Sequence, residues 1–267
     1  MRVEFPERDE LVVFPEVEPL EARVAAPYGS GTGESASRHL FRSGDEFYTM
    51  REYQVGDDLR RIHWPSVARR GRLMIRQDEA ARRSTATVFL DTRVTALGHS
   101  GTPAFEKAVS AAASVGSFLG TAGFTIRLAT AQGGPASLGQ EALLDRLAGV
   151  THAPNRALGQ LLAPLRAGGA GGTTLVVVTA PPHPAEVSLL TRTGTTFGSL
   201  IAVLVYPADP AGLPPEAAAQ LENQASSARL SLARAGWETY VIAPNARLRD
   251  VWRVTRHRPL LSTASSR

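Results

Sequence analysis

The chain has 267 residues, 43% of them hydrophobic, and it carries 29 basic side chains (Lys+Arg), 25 acidic side chains and no cysteine. This composition excludes a disordered chain, a collagen-like chain and a disulfide scaffold. The lack of cysteine excludes thiolate metal sites, iron–sulfur clusters and thiol nucleophiles.

The first 83 residues predict a small β-rich module. Residues 11–17 (LVVFPEV) form a β-rich run that prolines interrupt, which is typical of edge strands. The glycine-rich stretch 29–35 predicts a flexible turn. Residues 38–79 are dense in charged and aromatic side chains and predict strands and ordered loops, of which 73–77 (LMIRQ) is the clearest strand.

Residues 84–267 predict a separate α/β domain, because strand and helix patterns alternate there. Apolar β-branched runs predict strands at 85–91, 123–131, 173–180, 198–206 and 237–243. Ala- and Leu-rich runs predict helices at 103–120, 138–148, 155–167, 184–193, 214–235 and 247–256. Thr102 at the N-cap and Pro103 at the first helical position mark the start of the first helix. The fold class is therefore a Rossmann-like, mostly parallel sheet with helices on both faces.

Any ligand site should lie at the carboxyl edge of this sheet, where such folds bind ligands. The residues expected there follow the first and third strands of the domain: Asp91, Thr92, Arg93, Thr95 and the turn 179–183. The GGAGGTT run at 168–174 precedes a strand, so it predicts a tight turn and not a phosphate cradle.

The sequence predicts neither an enzyme nor a cofactor site. It contains no GxSxG, HExxH or EF-hand pattern and no GxGxxG after a strand, which removes the common catalytic and nucleotide-binding templates. Its six histidines stand singly and not at the helical spacing of metal ligands. Lys107, the only lysine, follows Glu106 where a Walker A loop requires glycine. We expect Lys107 to be an ordinary surface residue of a helix.

The chain as given is expected to be soluble. Its first ten residues, MRVEFPERDE, are charged and lack the apolar region of a secretory signal. The uncharged run 108–126 consists mostly of Ala, Ser, Gly and Thr. A buried helix that runs into a strand explains this run better than a membrane span does.

The most specific stretch is residues 51–79, REYQVGDDLRRIHWPSVARRGRLMIRQDE. It resembles the signature of the bacterial domain of unknown function 58 family, whose members resemble von Willebrand factor A domains in their second half. The matching residues, followed by a strand that ends in Asp91, are Arg51, Tyr53, Gly56, Asp57, Asp58, Arg60, Arg61, Ile62, His63, Trp64, Ala68, Arg69, Gly71 and Leu73.

This resemblance implies a function through protein partners. Family members are membrane-anchored proteins whose soluble module works with a MoxR-type AAA+ ATPase, often beside a transglutaminase-like membrane protein. By this resemblance we expect a non-enzymatic adaptor or assembly factor on the cytoplasmic side of the bacterial membrane. We further expect the chain to be an isolated soluble portion, because it contains no membrane helix.

The residues of the motif themselves leave two roles open. Gly56, Asp57 and Asp58 have turn chemistry, since glycine permits positive φ and Asp side chains bond to nearby backbone N–H groups. Ion pairs between these carboxylates and the neighbouring arginines, with Trp64 stacked on a guanidinium, are physically reasonable. Such a network either fastens the segment to the sheet domain or presents a surface to a partner. The candidate residues are Arg51, Tyr53, Gly56, Asp57, Asp58, Arg60, Arg61, His63, Trp64 and Arg69.

Nucleic-acid binding is one alternative from another class. Arginines in 38–83 and 247–267, interleaved with aromatic side chains in the first segment, are a chemistry that contacts phosphates and stacks bases. Seven acidic residues share the first segment and would repel phosphate. We therefore expect no nucleic-acid partner.

A metal-dependent adhesion module is the other alternative. The von Willebrand factor A likeness suggests a Mg²⁺ site that begins as Asp-x-Ser-x-Ser after the first strand, and the corresponding residues are Asp91, Arg93 and Thr95. Hard divalent ions need several oxygen ligands, whereas Arg93 brings a cation. We predict no metal, and an internal ion pair between Arg93 and Asp91 instead.

Overall fold

The computed structural model describes residues 12–21, 48–54, 57, 62, 64, 67–68, 71–78, 85–167 and 174–252. Its strands are β1 Tyr48–Glu52, β2 Met74–Asp78, β3 Thr85–Leu90, β4 Thr125–Thr130, β5 Gly133–Leu138, β6 Thr174–Thr179, β7 Ser199–Val205 and β8 Glu238–Ile242. Its α-helices are α1 Val94–Leu97, α2 Pro103–Thr121, α3 Gln140–Ala148, α4 Leu158–Ala167, α5 Pro184–Gly194, α6 Pro215–Arg234 and α7 Leu248–Val251.

Six of these strands form one sheet, in the order β5-β4-β3-β6-β7-β8. All neighbours in it are parallel except β5, which pairs antiparallel with β4. Counted from β3, this is the doubly wound order 3-2-1-4-5-6, in which the chain reverses its direction across the sheet between β3 and β6. The predicted Rossmann-like α/β fold is confirmed. Strands β1 and β2 form a separate antiparallel pair.

Helices cover both faces of the six-stranded sheet. Successive side chains of a strand point to opposite faces, so each strand contributes side chains to the core on both sides of the sheet. In β6, Val176 and Val178 belong to a buried cluster that includes residues of α2, α3 and α7, whereas Leu175 and Val177 belong to a cluster that includes residues of α4, α5 and α6. Every residue of β6 is buried. A strand buried on both faces needs apolar residues at every position, which explains the run LVVV.

Helix α2 begins as its sequence predicts. Thr102 Oγ1 accepts a hydrogen bond from Phe105 N at 3.4 Å, and Pro103 occupies the first helical position. The small residues that follow let the helix lie buried against the sheet, and it ends at Thr121, shortly before β4. The predicted buried helix running into a strand is confirmed. Within the ranges described above, no helix combines the length and the apolar character needed to cross a membrane.

The structure differs from the sequence predictions at β5 and at residues 12–17. Strand β5 (GGPASL) contains two glycines and a proline and no β-branched residue, so its propensity gives no strand signal. It forms because a short turn returns the chain along the exposed edge of β4. Residues 12–17, predicted as part of a β-rich run, form no strand. Of the predicted helix 247–256, the described residues contain only α7, and 253–256 lie outside them.

Residues 12–21 lie along α2 and not in a sheet. Ser110 Oγ donates a hydrogen bond to Glu16 O at 2.8 Å, and Glu18 N donates to Ser114 Oγ at 2.8 Å. These hydroxyls lie one helical turn apart, so they hold an extended backbone along the helix axis. The predicted domain boundary at 83/84 stays a prediction, although this part of the first 83 residues contacts the α/β domain.

Glu18 anchors this segment through a buried ion pair. Lys107 Nζ donates to Glu18 Oε1 at 2.8 Å, and the two side chains are only 9% and 4% exposed. The other carboxylate oxygen of Glu18 accepts from Arg249 N at 3.0 Å. The expectation that Lys107 is an ordinary surface residue is therefore wrong. The surface position of Lys107 was inferred from the helical run around it alone. That run carries no information about Glu18, which lies 89 residues earlier in the chain.

Substitution of Gly194 by alanine is expected to destabilise the protein by about 1–2 kcal/mol. Gly194 ends α5, and a Cβ there would lie 2.9 Å from Leu200 Cδ1 and 3.0 Å from Trp237 Cζ2. Overpacking costs typically about 1–3 kcal/mol, of which the better helix propensity of alanine offsets up to about 1 kcal/mol. Urea unfolding followed by circular dichroism measures the change. Gly159→Ala in α4 is the matched control, because its Cβ would find only ordinary contacts at 3.6 and 3.7 Å. A Gly194→Ala protein as stable as Gly159→Ala would contradict the expected clash.

Candidate functional site

The carboxyl ends of β3 and β6 lie side by side at the point where the strand order reverses. Asp91 follows β3 directly, is fully buried, and donates its backbone N–H to Val178 O at 2.9 Å. This bond continues the pairing of β3 with β6 by one residue beyond β3. The Asp91 carboxylate is thereby fixed at the edge where doubly wound sheets bind ligands.

Arg93 and Asp91 form a two-pronged ion pair inside this edge. Arg93 Nε donates to Asp91 Oδ1 at 2.9 Å and Nη2 donates to Asp91 Oδ2 at 2.7 Å. The Arg93 backbone N–H also donates to Oδ1, at 3.2 Å. The predicted ion pair is confirmed. A planar guanidinium that meets both carboxylate oxygens gives a geometry that a lysine cannot supply.

Two further side chains complete the cluster. Thr179, the last residue of β6, donates its hydroxyl to Asp91 Oδ2 at 2.8 Å. Glu186, in the first turn of α5, accepts from Arg93 Nη2 at 2.9 Å through Oε1. The other oxygen of Glu186 accepts from His183 N at 3.3 Å, so the same carboxylate holds both the start of α5 and the guanidinium.

The charge of Arg93 is permanent. Burial lowers the pKa of this guanidinium, but the hydrogen bonds and opposite charges of Asp91 and Glu186 outweigh burial and hold the pKa above its ordinary value. Arg93 therefore acts as a fixed cation and does not take part in proton transfer.

The loop before α4 fixes the backbone around Arg93. Ala153 N donates to Thr92 O at 2.8 Å, Val94 N donates to Ala153 O at 3.3 Å, and Arg93 and Ala153 form an isolated parallel bridge. Beside them, Thr95 N donates to Asn155 Oδ1 at 3.2 Å. The turn after β3 is thus held by hydrogen bonds to Ala153 and Asn155 of the loop before α4.

A cavity of about 300 Å³ opens next to this cluster. We call it the edge crevice. Its lining residues are Arg93, Thr95, Ala96, Thr179, Ala180, Pro181, His183, Glu186, Pro207, Leu221 and Gln224. Most of the predicted ligand-site residues are brought together here, namely Arg93, Thr95, Thr179, Ala180, Pro181 and His183, whereas Asp91 and Thr92 are fully buried and do not line the crevice.

Sequence reasoning missed Glu186, Leu221 and Gln224 as members of this site. Glu186 had a local signal, because a carboxylate two residues after Pro184 is typical of the first turn of a helix. Leu221 and Gln224 belong to α6, which packs against α5 and reaches the turn after β6 through a hydrogen bond from Gln224 Nε2 to Pro181 O at 2.7 Å. No local pattern reports such packing.

The residues at Asp91, Arg93 and Thr95 do not fit a divalent metal. Both oxygens of Asp91 already bind the guanidinium of Arg93, and Mg²⁺ requires several free oxygen ligands in near-octahedral array. The hydroxyl of Thr151, in the loop before α4, accepts a hydrogen bond from Gln132 Nε2 at 2.9 Å. Across the described ranges, no group of three or more His, Asp or Glu side chains is arranged to hold a metal ion.

The motif residues lie in and between β1 and β2. Arg51 lies in β1 opposite Ile75, and Tyr53 N donates to Leu73 O at 2.9 Å, which extends the ladder. Asp57 Oδ2 accepts from Gln54 N at 2.9 Å, as its predicted turn chemistry requires.

Trp64 of the motif is 66% exposed. A large indole surface in that position is available to a partner. The remaining predicted motif residues lie outside the described residues: Gly56, Asp58, Arg60, Arg61, His63 and Arg69. The choice between a structural fastening and a partner surface therefore stays a prediction.

Comparison with known families gives one result for this chain. A family model described as "Protein of unknown function DUF58" matches residues 49–234, which span β1 to α6 and include the motif. Neither the comparison with curated proteins nor the comparison with solved structures finds a match. Because the family model covers most of the chain, the resemblance inferred from residues 51–79 is confirmed, and the chain belongs to the DUF58 family of proteins of unknown function.

Proposed function

We propose that this chain is a non-enzymatic protein-interaction module that works with a MoxR-type AAA+ ATPase as an adaptor or assembly factor. In this proposal it acts on the cytoplasmic side of a bacterial membrane, as the soluble part of a membrane-anchored protein with a von Willebrand factor A-like domain. Family membership supports the resemblance from which the partner and the location are inferred.

The observation that carries the proposal is the hydrogen bonding of the carboxylates at the edge crevice. Each carboxylate oxygen of Asp91 and Glu186 accepts a hydrogen bond, from Arg93, Thr179 or His183. A general base needs a lone pair directed at a substrate, whereas these carboxylates orient a guanidinium. The arrangement supports a pre-shaped binding site over acid–base chemistry.

The exposed Trp64 is a second feature that supports a partner surface. Aromatic side chains are enriched where proteins bind proteins, and Trp is among the residues that contribute most to binding energy. Asp57 and Asp58 of the same motif supply charges of the kind that affect association rate and partner choice.

Charge reversal in the motif is expected to weaken retention of the ATPase. The purified MoxR-type ATPase of the same organism is passed over immobilised wild-type chain at low and high salt. The variant combines Asp57→Lys and Asp58→Lys. We expect retention to fall by about tenfold or more, equivalent to about 1.4 kcal/mol, because both charges of an acidic pair are inverted.

The matched control combines Glu141→Lys and Asp145→Lys, two exposed carboxylates of α3. Thermal unfolding of each variant establishes that it is folded. Loss of retention in a folded motif variant and full retention in the control support the proposal. Wild-type chain that retains no ATPase at either salt concentration contradicts it.

A further inference from the structure

Arg93 has a hydrogen-bonding group that the protein leaves unused. Its side chain is only 9% exposed, and its Nε and Nη2 atoms donate to Asp91 and Glu186. The third guanidinium nitrogen, Nη1, has no hydrogen-bond partner among the residues that the structure describes. Nη1 is not fully buried, so it can donate a hydrogen bond to an acceptor that does not belong to the protein. Since Arg93 lines the edge crevice, an acceptor atom of a ligand in the crevice would satisfy it.

The charge at the crevice determines which acceptor is favoured. One guanidinium and the two carboxylates of Asp91 and Glu186 leave the cluster with a net charge of −1. An acidic ligand that reached Arg93 would also meet these two carboxylates, and the repulsion offsets the attraction. A neutral carbonyl oxygen avoids this repulsion. The same excess charge attracts a basic group to Glu186, whose side chain is 26% exposed.

The size and walls of the crevice restrict the ligand further. About 300 Å³ lies at the lower end of the range for ligand pockets, which suits one or two side chains and not a nucleotide. Ala96, Ala180, Pro181, Pro207 and Leu221 supply apolar lining. These walls fit the methylene stem of a long basic side chain, which buries its carbons and keeps its charge at a polar atom.

We propose that the edge crevice binds an extended segment of a protein partner that carries a basic side chain. A backbone carbonyl of the segment accepts a hydrogen bond from Arg93 Nη1, and its Lys or Arg side chain forms an ion pair with Glu186. This inference rests on the proposed function as an interaction module, and it names the chemistry that this module recognises. It requires no metal ion.

Selection from a display library of random heptapeptides tests the proposal. The library is selected in parallel on the wild-type chain and on three variants, each checked for folding by thermal unfolding. Glu186→Gln removes one charge at nearly constant shape, and Thr95→Trp fills the crevice from its exposed rim. Glu141→Gln, on α3, is the charge-matched control outside the crevice.

We expect peptides selected on wild-type chain to be enriched in Lys and Arg over Asp and Glu by about threefold, the scale of one ion pair near a protein surface. The whole chain has a net charge of +4, so non-specific attraction would enrich acidic peptides instead. The basic excess should disappear with Glu186→Gln, all enrichment should disappear with Thr95→Trp, and Glu141→Gln should behave as wild type.

An acidic excess, or no enrichment over the Thr95→Trp variant, would overturn the proposal. A basic excess that persists in both crevice variants would also overturn it. The proposed interaction function would not be refuted by that result, because the ATPase retention experiment tests it separately. A crystal structure with the most enriched peptide tests the hydrogen bond directly. Peptide oxygens all more than about 3.5 Å from Arg93 Nη1, beyond hydrogen-bond distance, would refute the carbonyl contact.

Discussion

Replacement of Arg93 by alanine is expected to lower the free energy of unfolding by about 3–5 kcal/mol, the cost of leaving a buried charge without its partner. Asp91 is fully buried, and without Arg93 its carboxylate keeps only the Thr179 hydroxyl as a side-chain donor. Urea unfolding at neutral pH measures the change. The effect is large because the Asp91 carboxylate is fully buried and loses the charged donor that binds both of its oxygens.

A double-mutant cycle separates the ion pair from the loss of side-chain packing. The Asp91→Ala and Arg93→Ala variants are combined, and a coupling energy of about 0.5–3 kcal/mol is expected for residues in direct contact. Arg229→Ala, on the exposed surface of α6, is the control and should stay within about 0.5 kcal/mol of wild type. An Arg93→Ala protein within about 1 kcal/mol of wild type would be inconsistent with a buried charge at Asp91.

Removal of the Lys107 charge is expected to destabilise the protein by a similar amount at neutral pH, about 3–5 kcal/mol, because Glu18 then remains buried without its cation. Lys107→Met keeps most of the side-chain volume, so the loss reports mainly the charge. The double variant Glu18→Gln with Lys107→Met removes both charges and should recover part of the stability. A double variant less stable than Lys107→Met would contradict this account.

The same ion pair predicts a pH dependence. Burial raises the pKa of Glu18, but hydrogen bonds from Arg249 N, Lys107 Nζ and Leu248 N, together with the Lys107 charge, lower the pKa by more, so it lies below the ordinary value of 4.5. A carboxyl group with a lowered folded-state pKa contributes stability that is present above its unfolded pKa and is lost as the pH falls through its folded pKa. Below about pH 4.5, the wild-type chain should therefore lose stability more steeply with falling pH than the Glu18→Gln variant does.

Unfolding midpoints in urea between pH 3 and pH 7 measure this difference. Glu21→Gln is the matched control, because Glu21 lies in the same segment and is exposed. The control should follow the wild-type slope. Parallel slopes for wild type and Glu18→Gln would refute the stabilising role of the ionised Glu18.

Local patterns were sufficient for most of the α/β domain. The hydrophobic run LVVV required a strand buried on both faces, and Thr102 followed by Pro103 marked the start of α2, because capping and burial depend on neighbours in the chain. Strand β5 was not predicted, because its formation depends on a neighbouring strand and not on its local sequence. Its glycines and proline disfavour a strand, and only the available edge of β4 makes one form.

The candidate site likewise contains one contact between residues close in the chain, which the sequence predicts, and contacts between distant residues, which it does not. Asp91 and Arg93 are two residues apart, so their ion pair, and the misfit of a metal ion, could be inferred from the sequence by itself. Glu186 is 93 residues from Arg93, and Arg249 is 231 residues from Glu18. Only the strand order brings β3 beside β6, and only the packing of helices on the sheet brings residues 12–21 to α2 and α7. The tertiary structure decided these contacts. Hydrophobic burial determines which helix and sheet faces pack together, and the sequence near each polar residue does not show which distant polar residue this packing brings beside it.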